Sequence, residues 1–202
     1  MTYLVLARHG QSEWNALSKW TGRTDVGLTE KGKRQARHAA VNLQDIELHK
    51  AYTSELSRAQ QTLDIIKQEL RLSSLQTTVS ESLNERDYGV YEGMTTTEVI
   101  EEIGHDEFIR LRRRWDHHVP EGETLKEVYE RVIPYYEKHI LTDLKNGKNV
   151  IIVAHGNTLR ALIKYLDQVS DNEVDKLEIN TAELHIYEVD EAGKVLGKNI
   201  RN

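Results

Sequence analysis

Two short apolar runs constrain the fold more than anything else in the chain. Residues 3–7 (YLVLA) lead straight into Arg8-His9-Gly10, and residues 149–154 (NVIIVA) lead into His155-Gly156-Asn157. A continuous apolar run of this length reads as a strand covered on both faces, the kind found in parallel sheets. In open α/β sheets ligands collect beyond the carboxyl ends of the strands. If the two strands are neighbours, His9 and His155 face each other at such an end. The glycine after each His lets the backbone approach a ligand closely, and the helix N-terminus that follows offers N–H donors to an anion.

The remaining punctuation fits an alternation of strands and helices. Thr29 caps a helix running to about Leu43, and Ala51-Tyr52-Thr53 begins a second strand. A helix from about Glu55 to Leu70 carries Leu56, Ala59, Leu63, Ile66 and Leu70 on one side. Residues 75–79 give a third strand, and 95–115 two short helices broken near Gly104. Thr124 and Glu127 form a capping box at the start of a long helix to Leu144, in which Pro134 predicts a kink. Thr158–Leu166 is a further helix. Glu183–Val189 alternates polar and apolar residues, as an edge strand would. Residues 1–202, with no repeat, linker or low-complexity tract, therefore predict a single α/β domain, its mostly parallel sheet flanked by helices on both faces.

Composition narrows the chemistry. Cysteine is absent, which removes thiolate zinc sites, iron–sulfur clusters and Cys nucleophiles from consideration. With 27 Lys and Arg against 33 Asp and Glu, the net charge of −6 does not invite nucleic acid or an anionic membrane. No apolar run is long enough to span a bilayer, and the opening residues do not resemble a signal peptide. The expected location is the cytoplasm. An anionic ligand must then be drawn by a local group of Arg rather than by the bulk charge.

Two His in matched strand-end contexts, one flanked by Arg, suggest an anion site with a histidine nucleophile. Attack on phosphorus needs a neutral imidazole, and the equatorial oxygens need cations or N–H donors. Arg8 adjoins the first His, and Arg58 lies just inside the helix after Tyr52-Thr53-Ser54, so both belong near strand ends. No metal-ligand spacing appears, and the adjacent His117-His118 read as solvated. Glu85, in the polar loop Asn84–Gly89, is the favoured general acid and base.

The motifs then take on a familiar order. Arg8-His9-Gly10, Glu13-Trp14-Asn15, Thr21-Gly22-Arg23-Thr24-Asp25, Leu28-Thr29-Glu30-Lys31-Gly32 and Tyr52-Thr53-Ser54 resemble the histidine phosphatase superfamily. Leu83 to Gly89, Glu92-Gly93 and Ala154 to Leu162 resemble, within it, the cofactor-dependent phosphoglycerate mutases. The resemblance implies interconversion of 3- and 2-phosphoglycerate, with 2,3-bisphosphoglycerate as the priming cofactor and no metal. It implies that His9 is phosphorylated in turnover and that Glu85 moves the proton. His155, Arg8 and Arg58 would stabilise the transferring phosphoryl group. Asn15, Thr21, Gly22, Arg86, Tyr88, Gly156 and Asn157 would line the phosphate and carboxylate pockets. Arg112 and Arg113, within the run Arg110–Arg114, would meet the substrate carboxylate or second phosphate from a lid.

Three departures from the mutase pattern stand out. Thr95-Thr96-Thr97 replaces a segment that commonly carries Lys, the Pro-rich insertion between Trp115-Asp116 and Pro120 is missing, and the tail after Gly197 is short. The missing Lys and the missing insertion favour an alternative on the same scaffold, a phosphatase that uses water as acceptor. A second alternative, a non-catalytic module holding nucleic acid or a phosphoprotein on Arg110–Arg114, conflicts with the net charge. Small phosphoglycerates are the expected partners, with a homo-oligomer possible.

Overall fold

A computed structural model describes residues 1–202. Six strands form one sheet in the order β3-β2-β4-β1-β5-β6. They are β1 (Thr2–Arg8), β2 (Lys50–Thr53), β3 (Thr77–Val79), β4 (Val150–Ala154), β5 (Leu184–Val189) and β6 (Val195–Arg201). The first four are mutually parallel, with β1 beside β4, β4 beside β2 and β2 beside β3. The register Arg8↔Ala154 ends β1 and β4 at the same level, so His9 and His155, which follow them, emerge side by side.

Alternation along each strand divides the core. Leu4 and Leu6 of β1, with Val150, Ile152 and Ala154 of β4, face α6 (Leu125–Tyr135) and α8 (Gly156–Leu166). Val5 and Ala7, with Ile151 and Val153, face α2 (Glu30–Val41) and α3 (Ser57–Glu69). Both faces are dry because helices cover both, which is why the sequence is apolar at every position. A third, smaller cluster gathers Trp20, Tyr91, Val99, Phe108, Leu111 and Val119 around α4 (Thr96–Ile103) and α5 (His105–Arg113). Short α1 (Glu13–Ala16) is held by a capping box from Ser12.

Helix ends follow the chemistry read from the sequence. Thr29 Oγ1 accepts from Gly32 N–H, and Thr124 and Glu127 cap α6 reciprocally. Gly104, at φ 80°, separates α4 from α5. The expected kink at Pro134 takes a different form. Directly after it the hydrogen-bond pattern widens to a π turn, Tyr136–Ile140, and returns to α in α7 (Leu141–Lys145). Proline supplies no N–H to the preceding turn, and the helix absorbs the lost bond by slipping its register.

One strand assignment is corrected. Glu183–Val189 does not lie at an edge: β5 pairs antiparallel with β1 on one side and with β6 on the other. Only Glu188 within β5 is exposed. The edge on that side is β6, which carries Lys198, Asn199 and Arg201 and reads in sequence as a tail.

Candidate active site

The carboxyl ends of β1 and β4 bring His9 and His155 together, with ring centroids 5.0 Å apart and planes at 58°. Both rings are buried. His9 Nδ1 lies 2.7 Å from the carbonyl oxygen of Gly10. A carbonyl can only accept, so Nδ1 carries the proton and Nε2 keeps its lone pair. Burial, then Arg58, then Arg8 hold the His9 pKa well below its ordinary value of 6.5. The ring is therefore neutral at physiological pH, as a nucleophile must be. Burial, Arg58 and the His9 ring do the same for His155.

Arg58, on the first turn of α3, is fully buried and donates to the carbonyls of Thr24 and Gly22. That loop is fixed in turn by Glu92, whose carboxylate accepts from the N–H groups of Arg23 and Thr24. Gly22 sits at φ +48°, and a side chain there would run into Glu92. Arg8 donates to the Ile179 carbonyl at 2.6 Å, while its Nε is buried without a partner. Desolvation lowers the pKa of both guanidinium groups without discharging them.

Glu85 Oε1 accepts from the N–H groups of Arg86 and Asn157, at 2.8 and 3.1 Å. The carboxylate borders two adjoining clefts of about 260 Å³ each. Arg8, Tyr88 and Arg112 border both as well. The first cleft adds His9, Asn15, Thr21, Gly22 and Arg58, and the second adds Arg113, Gly156 and Asn157. Asn157 Nδ2 donates to the Tyr88 hydroxyl oxygen, which leaves the Tyr88 O–H free for a ligand.

Arg86 departs from expectation. It is fully buried and lines neither cleft. Its guanidinium donates to the carbonyls of Glu123 and Leu111, and more weakly to that of His117. It stitches the Glu85 loop to α5 and to the start of α6. Gly10 also differs. A side chain there would strike the α2 backbone at Gly32, so this glycine serves helix packing. Only Gly156 opens space for a ligand, beside Glu85 and Arg8.

The basic run resolves residue by residue. Arg110 pairs with Glu107 on the α5 surface, Arg112 points into both clefts, and Arg113 is held by Glu178. His117 pairs with Glu107 at 2.6 Å, while His118 is exposed. No group of three or more His, Asp or Glu could hold a metal ion.

Several lining residues escape the sequence reading. Lys19 lines the first cleft and pairs through its backbone with Thr95, so a cation stands on the same wall as the neutral Thr96. Arg160 borders the second, donating to Asn157 Oδ1 and to the carbonyls of Arg113 and Val174. Burial lowers its pKa to about 10, so it too stays charged. Leu177–Asn180 forms the outer wall. The one available signal for that wall was topological: the loop entering an antiparallel neighbour of β1 must lie at the carboxyl end of β1.

A sheet that presents two neutral imidazoles inside a cage of guanidinium groups defines an enzyme that works on phosphate esters. The chain belongs to the histidine phosphatase superfamily, branch 1, whose family model matches residues 4–199. It is 44% identical over 199 residues to a Parvibaculum lavamentivorans protein named 2,3-bisphosphoglycerate-dependent phosphoglycerate mutase, covering 98% of this chain and 95% of that one. A protein of the same name from Bradyrhizobium diazoefficiens is 43% identical, covering 96% and 95%. Among solved structures, Bacillus stearothermophilus YhfR superposes with a TM-score of 0.84 at 28% identity, covering 96% and 94%.

Proposed function

We propose that the chain interconverts 3-phosphoglycerate and 2-phosphoglycerate through phosphorylation of His9. The observation that carries this reading is the doubled cleft, whose two halves share Arg8, Arg112, Tyr88 and Glu85. A phosphatase needs one phosphate site; a mutase must hold a second anionic group while the first is transferred. The names of the relatives at 43–44% identity support the same choice.

The chain's own groups account for the steps. His9 Nε2 attacks phosphorus, forming an N–P bond as the P–O bond to the substrate oxygen breaks. Glu85 gives a proton to that leaving oxygen and takes one back from the hydroxyl that attacks the phosphohistidine. Arg8 and Arg58 compensate the charge of the equatorial oxygens, with His155 beside them. Arg112, Arg113 and Arg160 hold the remaining anionic group in the second cleft.

The donor set suits 2,3-bisphosphoglycerate: Arg8 Nε is buried without a partner, and cationic groups border both clefts. When bound, this cofactor supplies the phosphoryl group that primes His9. Small phosphoglycerates are the partners of this reading, and the cytoplasm its location.

Phosphorus-31 NMR of EDTA-treated enzyme with 3-phosphoglycerate tests the proposal, with and without catalytic 2,3-bisphosphoglycerate. The expected result is 2-phosphoglycerate only when the cofactor is present, with little free phosphate. Growth of inorganic phosphate without any isomer overturns it in favour of a phosphatase. Thr96, a neutral residue on the first cleft's wall, favours that second reading. His9→Ala is expected to abolish both turnover and the phosphoenzyme.

A further inference from the structure

Ser54, immediately beyond the carboxyl end of β2, is fully buried and lies 2.7 Å from Nε2 of His155 through its Oγ. Strand β2 is the parallel neighbour of β4, so the sheet itself sets this contact. The same Oγ accepts the backbone N–H of Leu56 at 3.2 Å. Its hydroxyl proton has one acceptor within reach, the His155 Nε2 lone pair.

We propose that Ser54 is a positioning residue that fixes the tautomer of His155, placing the ring proton on Nδ1. The opposite tautomer would turn Nε2–H toward Ser54 and strand the serine proton in a fully buried place, where an unmet donor is costly. It would also leave a bare Nδ1 lone pair in a site built for an anion. With Ser54 donating to Nε2, Nδ1–H becomes the ring's one free donor. That atom is buried and has no protein partner, and the ring beside it belongs to His9. The two imidazoles thus carry their protons for opposite purposes. Gly10 takes the Nδ1–H of His9 and frees a lone pair for attack, whereas Ser54 occupies the Nε2 lone pair of His155 and frees a hydrogen for the phosphoryl oxygens. Burial keeps the His155 ring neutral, so a single proton is there to be placed.

This inference rests on the reading of His155 as a phosphoryl contact, and its first test does not use activity. In wild-type protein labelled with ¹⁵N at histidine, the His155 signals are assigned by their loss in His155→Gln. The expected pattern is a pyridine-like Nε2 and a pyrrole-like Nδ1. A pyrrole-like Nε2 overturns the proposal. In Ser54→Ala the preference is expected to weaken and kcat to fall about 10- to 100-fold, the usual scale for removing the orienting partner of a functional imidazole. KM should change less than about twofold, because Ser54 touches no substrate. Ser54→Cys, with its weaker donor, should lie between the two. Unchanged tautomer and rate in Ser54→Ala also overturn the proposal. If the chain releases phosphate instead of isomerising, the same fall appears in phosphate release, so failure of the mutase reading leaves this test intact.

Discussion

The backbone N–H of Asn157 donates to Glu85 Oε1 at 3.1 Å, so the first turn of α8 holds the carboxylate from across the cleft. With the Arg86 N–H on the same oxygen, one oxygen is anchored and the other is presented to the ligand. Glu85→Gln keeps the shape and removes the proton carrier. A fall in kcat on the order of 10²- to 10⁴-fold is expected, the range typical of a lost general acid–base. Rapid-quench measurement of His9 phosphorylation should show the same fall. Normal phosphorylation in this variant would remove Glu85 from the chemistry.

Gly156 begins α8, and a Cβ there would sit 3.6 Å from Glu85 Oε2 and 3.7 Å from the Arg8 guanidinium. Those are ordinary contacts, so nothing in the protein has to move. Gly156→Ala should therefore fold with stability within about 1 kcal/mol of the parent. The added methyl occupies substrate space and should raise KM about 10-fold or more. Thermal unfolding and steady-state kinetics check the pair of outcomes, and an unchanged KM would show that ligand does not approach this glycine.

Arg86→Met tests the reassignment of that residue from pocket to scaffold. Its loss leaves the carbonyls of Glu123 and Leu111 without their donors in a buried place. Destabilisation of about 3 kcal/mol is expected from the unmet acceptors. KM of the folded fraction should stay within about twofold, since the guanidinium borders neither cleft. Denaturant titration alongside kinetics separates the two roles; a large KM effect without loss of stability would restore Arg86 to the pocket.

Both active-site histidines have pKa values well below the ordinary 6.5, chiefly through burial and then through Arg58. As pH falls through that value the unfolded chain takes up protons on these rings while the folded chain does not. The unfolded state then binds more protons, so stability is full above about pH 6.5 and declines as pH drops below it. Urea titrations across this range should show the decline, shallower in His155→Gln. An identical slope in that variant would mean His155 is not held neutral.

Much of this site was legible because strand ends write themselves in sequence. YLVLA and VIIVA are apolar at every position, and each ends within two residues of a histidine, so the two catalytic candidates are placed by the strand ends alone. Thr29, Thr124 and Gly104 likewise marked helix boundaries through local hydrogen bonds and backbone freedom. Arg86 borders neither cleft because its direction depends on the Leu111 and Glu123 carbonyls, 25 and 37 residues away, and no local pattern encodes them. The edge assignment of β5 failed for a related reason. β6 is held by ladder hydrogen bonds rather than by a buried face, so its sequence, VLGKNIR, carries no alternation to announce a strand. Lys19 and Arg160 were missed because each owes its place to the packing of a loop or helix against a distant cleft wall.

The reversed polarity of β5 has a consequence for how such a site can diversify. β1 has a parallel neighbour on one side and an antiparallel one on the other. The nucleophile's ledge therefore meets an outgoing chain that delivers His155 and an incoming chain, Leu177–Asn180, that walls the second cleft. An incoming segment can change in length and composition before it joins the sheet without disturbing the register of any strand. Reaction and selectivity are thus written in separate stretches of the chain, one fixed by the sheet and the other open to revision.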